Sequence, residues 1–415
     1  MSYLDLSVND PSSIGGGTAT VSVKPAAPDA HRDLPAGALF ALVVVAAITP
    51  LILLIAPAVA AQLTTQLNLS PSQIGTFFFV ELGAFSLATL PAYAWLHRVD
   101  ARKVALFAAC IFLIGNVATA WLTPDYLELL MLRAFTALGG GTLMVLCMTS
   151  AAASLNPDRV YGLWVVGQLI TGAIGLFVLP MLFGAFGIRS LYVILSVLAV
   201  CILPLTQLFP SLLRQVHRDA KPVAQQTRAT GSTLVAGLSV LAALLFYVAI
   251  GGVWTFASSA ATATGLDAET GGLVLAIASS TGFVGAALAS MMGGKVNRTV
   301  FIWIGYLGLA AAIIGLSGEP RVTLYIAAIL IFKFGWTFVL PFLLAAIAEA
   351  DSTGRVVPSL TLIIGMGLSL GPLVAGWSIQ WTGSTHSLYL GAVALMIGSL
   401  VALITMIKLF AARSS

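Results

Sequence analysis

Charge is what this chain has least of. Asp, Glu, Lys and Arg together make up 8% of its 415 residues, whereas a soluble domain carries about 25%. Cysteine is also scarce. The three cysteines, Cys110, Cys147 and Cys201, all fall in apolar stretches. An odd, scattered set supports no disulfide framework and no metal-ligand spacing. No Gly-Lys-Ser/Thr phosphate loop is present, which argues against ATP as the driving force. There is no His/Cys cluster and no pair of carboxylates within one apolar stretch. An enzyme is therefore not expected, and neither is a metal or other cofactor.

What fills the chain is apolar: 59% hydrophobic residues and a mean hydropathy of +1.03. That composition specifies a polytopic, all-α integral membrane protein lying in a lipid bilayer. Residues 1–35 are rich in Ser, Gly, Pro, Ala and Asp and read as a disordered tail. They lack the basic start and apolar core of a signal peptide. The first span, about Ala36–Gln62, is then expected to remain in place. Twelve apolar spans follow in all, centred near Leu51, Ala84, Leu113, Gly141, Ile170, Ser196, Ala243, Ser280, Leu307, Gly335, Gly367 and Ile397.

Of the 19 Lys and Arg, Arg133 and Lys333 fall inside spans and Arg189 and Arg321 on one side of the membrane. The rest lie on the other side. By the positive-inside rule the side holding both termini is cytoplasmic. The net charge of +4 thus reports topology, and no nucleic-acid partner is expected.

The chain divides at its longest interior polar segment, residues 210–232, and the two parts repeat. Leu69-Ser-Pro-Ser-Gln-Ile-Gly75 resembles Leu266-Asp-Ala-Glu-Thr-Gly-Gly272, 197 residues later. Asp158-Arg159-Val160 with Gly175 resembles Gly354-Arg355-Val356 with Gly371, at an offset of 196. Two matches at nearly one offset point to a duplicated six-span unit: an N-terminal half over 36–209 and a C-terminal half over 233–411. A solute site between such repeats is a common transporter plan.

Over Ala36 to Phe410 the chain resembles the major facilitator superfamily. The loop after the second span reads Tyr93-Ala-Trp-Leu-His97-Arg98-Val-Asp100-Ala-Arg102-Lys103. Its basic residues match the family's signature loop, while Tyr93, Asp100 and His97 replace the usual glycines and acid. Arg133 followed by Gly139 and Gly140 is similar to the family's fourth helix. Gly167, Gly172, Gly175 and Pro180 have the antiporter spacing of the fifth helix without its Gly-Pro pair, which stands instead at Gly371-Pro372. The resemblance implies two six-helix halves, a central cavity opening alternately to each side, and a monomer. It also implies a latch role for Arg98, Asp100, Arg102 and Lys103. Glu349, Asp351 and Arg355, at the cytoplasmic end of the tenth span, are expected to form an inter-helix charge latch.

Three ionisable residues lie well inside spans: Glu81, Arg133 and Lys333. Charge at that depth is costly and usually marks a solute or ion pathway. At the repeat offset, Lys333 corresponds to Ala137, one turn from Arg133. Two cations from opposite halves would suit an anionic solute, and Glu81 could load and release a proton. Asn116, Gln168, Tyr247, Trp254 and Trp336 are further candidate solute contacts. Glycines at 139–141 should let a neighbouring helix approach closely. Pro50, Pro180, Pro341 and Pro372 should kink or end their helices. The expected function is proton-coupled secondary transport of a small organic anion, with aromatic anions included, in the inner or plasma membrane. The alternatives are a proton antiporter exporting apolar or cationic compounds and, further off, a solute sensor.

Overall fold

A computed structural model describes residues 34–95, 99–122, 125–154, 156–209, 233–292, 297–351 and 356–414. Within these, eleven helices are long and apolar enough to cross a membrane. The remaining crossing is broken into α1 (Ala36–Ile48), α2 (Leu51–Leu54) and α3 (Ala56–Leu67). The first span thus runs past Gln62 to Leu67, as three pieces rather than one helix. Two prolines account for the breaks. Pro50 lacks the N–H that would bond the Ala46 carbonyl, and Pro57 lacks the one that would bond Leu53.

The first group continues with α4 (Pro71–Leu87) and α5 (Thr89–Trp95), then α6 (Ala101–Trp121), α7 (Tyr126–Ala152), α8 (Pro157–Phe186) and α9 (Arg189–Leu205). The second group comprises α10 (Thr233–Thr255) with α11 (Ala257–Ala263), α12 (Ala268–Met292), α13 (Arg298–Ser317), α14 (Val322–Ala350), α15 (Val356–Thr382) and α16 (Thr385–Ser414). The architecture is twelve crossings in two sets of six. Most of the tail, residues 1–33, and the segment 210–232 lie outside the described residues.

Local sequence signals set the helix starts. Ser70 and Gln73 form a capping box before α4, and Asp125 and Glu128 form another before α7. Asp100 caps α6 through the Arg102 N–H at 2.9 Å. Asp267 accepts the Thr270 N–H at 2.8 Å at the start of α12. Each cap satisfies donors that a helix start leaves bare. Pro180, Pro341 and Pro372, by contrast, sit inside uninterrupted helices. Only Pro50 among the four expected breakers ends a helix.

Lipid supplies no hydrophobic drive between helices, so close packing of small residues holds them together. α7 wedges between α6 and α4: a Cβ on Gly139 would lie 2.8 Å from the Ala108 carbonyl oxygen, and one on Gly141 would lie 2.1 Å from that of Phe85. The two groups meet where α4 packs on α15 and α8 on α12, with α3 touching α10 and α11. The tightest backbone approaches among these contacts lie on the side away from the termini. There a Cβ on Gly75 would stand 2.4 Å from the Pro372 carbonyl oxygen, and one on Gly376 would stand 2.2 Å from that of Pro71. Backbone meets backbone and closes the molecule on that far side.

Candidate functional site: a central cavity and three buried charges

On the opposite side of this closure the two groups part around a cavity of about 260 Å³. Its wall comes from Pro50, Leu53 and Leu54, from Leu82, Phe85 and Ser86 on α4, and from Met144 and Met148 on α7. Trp164 and Gln168 on α8 and Thr361, Ile364, Gly365 and Leu368 on α15 also line it. Met148, Trp164 and Thr361 stand near helix ends on the side that carries the termini. The lining is mostly apolar, with a few hydrogen-bonding groups, the usual make-up of a small-molecule site. One of them is the Trp164 indole N–H, which is buried and has no partner.

Beside the cavity lies a closed charge network. Arg133 on α7 donates from Nε to Glu81 Oε2 at 2.8 Å and from Nη2 to Oε1 at 2.7 Å. This is the two-pronged fit that a guanidinium makes with a carboxylate. A third donor, Nη1, reaches Asn116 Oδ1 on α6 at 3.0 Å. Asn116 is held for that task because its Nδ2 donates to the Phe112 carbonyl at 2.8 Å. The Tyr192 ring of α9 covers the guanidinium, with its centroid 5.1 Å from Cζ. Four helices of the first group are thereby tied at one point. Arg133 is 0% exposed and Glu81 5%, and neither they nor Asn116 line the cavity. Two residues of the cavity wall, Leu82 and Phe85, lie one and four residues after Glu81 on α4.

Lys333 on α14 is placed differently. It is 6% exposed, and among the described residues no carboxylate lies within ion-pair distance of it. Its ammonium sits instead between two indoles, 3.9 Å from the Trp254 centroid and 4.1 Å from that of Trp336. Aromatic faces attract a cation, and more strongly where water is excluded, but they leave its net charge in place. Arg133 and Glu81 cancel one another; Lys333 is not cancelled. The two cations do not face each other across the cavity, and Lys333 is outside its lining.

The broken first span joins these parts. The Ala46 carbonyl, deprived of a helical partner by Pro50, accepts the Gln168 Nε2–H at 2.9 Å. The Leu53 carbonyl, deprived by Pro57, accepts the Trp254 Nε1–H at 3.2 Å. Irregular backbone at this depth persists only when such partners are supplied. Gln168 thus lines the cavity while holding α1. Trp254 crosses from the second group to the first and lies between Leu53, a wall residue, and Lys333.

Sequence reasoning had marked Gln168 and Trp254 without finding these acceptors. The signal was present in the four-residue steps Ala46 to Pro50 and Leu53 to Pro57. Tyr247 is buried against Phe246, with ring centroids 5.5 Å apart, and does not line the cavity. Among the latch candidates, Asp100 is the α6 cap and Arg102 donates to the Phe209 carbonyl at 3.0 Å. Lys103 is exposed. Asp351 lies at the end of α14, where the neighbouring Glu349 pairs with Arg298 of α13. Arg98 and Arg355 lie outside the described residues.

The chain is similar to several solved transporters in overall shape. The nucleoside transporter NupG superposes with a TM-score of 0.67 at 11% identity, over 90% of this chain and 98% of that one. A structure described as the inward open conformation of the xylose transporter XylE from E. coli gives 0.65 at 16% identity, over 89% and 95%. A D-xylose-proton symporter gives 0.66 at 18%, over 89% and 97%. At such identities the likeness is one of fold. No curated protein sequence matches. The profile of the Major Facilitator Superfamily matches residues 38–357, and with twelve crossings around a central cavity the chain belongs to that superfamily of membrane transporters.

Proposed function

We propose that this transporter moves a small organic anion by alternating access, coupled to protons, across the inner or plasma membrane with both termini in the cytoplasm. The observation that carries the reading is the placement of the Lys333 amine, buried between two indoles with no carboxylate in ion-pair distance among the described residues. A buried cation with aromatic neighbours and no carboxylate is suited to an anionic solute as its counter-ion. The apolar cavity wall and the two indoles favour a solute with an aromatic or otherwise apolar body. Arg133 serves the site from behind, by fixing α4, α6 and α7 through Glu81 and Asn116. In the same reading Glu81 carries the proton, because neutralising it would release one of the guanidinium's partners and loosen α4 beside the cavity. The side that holds the cavity is then the cytoplasmic one, and the described conformation faces inward.

The test is flux into proteoliposomes under an imposed pH gradient, with labelled aromatic carboxylates, aromatic sulfonates, nucleosides and lipophilic cations. Anion flux that follows the gradient, falls at least tenfold in Lys333→Ala and loses its gradient dependence in Glu81→Gln is expected. Flux of cations or nucleosides alone, unchanged in Lys333→Ala, would overturn the anion assignment. A lasting gradient dependence in Glu81→Gln would remove the coupling role.

A further inference from the structure

We propose that the second group of six spans carries a separate site for a small carboxylate on the far side, built around the phenol hydroxyls of Tyr325 and Tyr389. The proposal concerns neither the central cavity nor Lys333, and it stands or falls independently of the transported solute.

A cavity of about 120 Å³ opens between α11, α13, α14 and α16. A single water needs roughly 10–15 Å³ of such space, so several heavy atoms fit. Tyr325 of α14 is 3% exposed and Tyr389 of α16 is 1% exposed. Both line the cavity, and both hydroxyls are buried without a hydrogen-bond partner. Buried polar groups are nearly always paired. Two lining residues that each hold a buried, unpaired donor mark a place that acceptor oxygens would complete.

The rest of the lining adds positive potential. α14 begins at Val322, directly after the rim residue Arg321, and α16 begins at Thr385, with Thr385 and His386 in the wall. Helix starts present N–H groups and the positive end of the helix dipole; at α16 the His386 N–H is already engaged, donating to Ser384 Oγ at 3.2 Å. The Thr264 hydroxyl in the wall is already engaged, donating to the Ala261 carbonyl at 2.7 Å. Glu319 at the rim is exposed and paired with Arg321 at 2.9 Å. A short carboxylate fits this pattern. Its two oxygens can accept from the two phenols, and its charge is answered by the two helix starts.

The experiment is thermal unfolding of the purified full-length protein in detergent. Sodium acetate is titrated at constant ionic strength against a bulky sulfonate buffer. Wild type should show a saturable rise in Tm. Tyr325→Phe/Tyr389→Phe should unfold at or above the wild-type temperature without acetate, because only unpaired hydroxyls are removed. Its apparent Kd for acetate should be at least tenfold weaker. Lys333→Ala should keep the wild-type response. If the double variant does not fold, each single Phe variant must weaken acetate on its own. No saturable rise in wild type, or an equal rise in the Phe variants, overturns the proposal. A rise lost in Lys333→Ala but kept in the Phe variants places the anion at the central charge instead, which overturns this site and leaves the transport reading standing.

Discussion

Trp254 donates its indole N–H to the Leu53 carbonyl, 3.2 Å away, across the line between the two groups of six spans. The acceptor is available only because Pro57, four residues on, has no N–H to offer it. One indole therefore repairs a break in the first span and shields a lysine in the second group.

Trp254→Phe separates these two tasks. The ring over Lys333 is kept and the donor to Leu53 is lost. A buried acceptor left bare costs about 1–3 kcal/mol, and the loss falls on a contact between the groups. We expect a lower Tm and increased labelling of single cysteines placed on the far side of a cysteine-free background. Gln168→Leu should cost a similar amount through Ala46 without increasing far-side labelling, because that bond lies within one group.

Removing one member of the buried pair should be worse than removing both. Arg133→Met strands Glu81 in a nearly water-free place, for a cost of about 3–5 kcal/mol. Glu81→Met/Arg133→Met removes the charge altogether and should recover a large part of that stability. Thermal unfolding of the two single variants and the double variant measures this directly. Additive losses would mean that the two residues do not act as one unit.

Gly75→Val tests the far-side closure. With a Cβ 2.4 Å from the Pro372 carbonyl oxygen, the side chain has no room unless α4 and α15 separate. The variant should fold, since other packing surfaces of α4 are untouched. It should populate states open on the far side, seen as increased far-side cysteine labelling and reduced labelling of the central cavity.

The α12 start should respond to acid. Hydrogen bonds from Thr270, backbone first and hydroxyl second, hold the Asp267 carboxyl below the usual carboxylate range. A lowered pKa in the folded state means that the cap helps at neutral pH and fades as pH falls below about 4. Amide exchange at Thr270, corrected for its intrinsic pH dependence, should quicken over that range. In Asp267→Ala it should be fast throughout.

Much of this was legible in the residues. The twelve crossings followed from apolar runs and the scarcity of charge, and the three interior charges stood out because hydrocarbon makes such residues rare. What a one-dimensional pattern cannot carry is helix rotation. Arg133 and Lys333 look alike as lone cations at matching depth, yet one faces Glu81 and the other two indoles. That difference is set by how α4, α6 and α7 pack, through contacts such as Gly141 against Phe85. Tyr325 and Tyr389 were invisible for the same reason, being 64 residues apart on helices that only the fold brings together. The meaning of Pro57 was readable, since a proline in a span names the carbonyl it abandons; which side chain answers was not.

The paired contacts of α4 and α15 bear on how the proposed transport cycle would open the far side. Pro71 and Gly75 are four residues apart on one helix, Pro372 and Gly376 four apart on the other. The helices run in opposite directions, so each proline carbonyl faces the other's glycine. Such a clasp has no intermediate setting. Sliding either helix by one residue would drive a side chain into backbone at both points, and a tilt that frees one point strains the other. In the proposed alternating-access cycle the far side should therefore part as a single cooperative step, without a half-released setting that leaks.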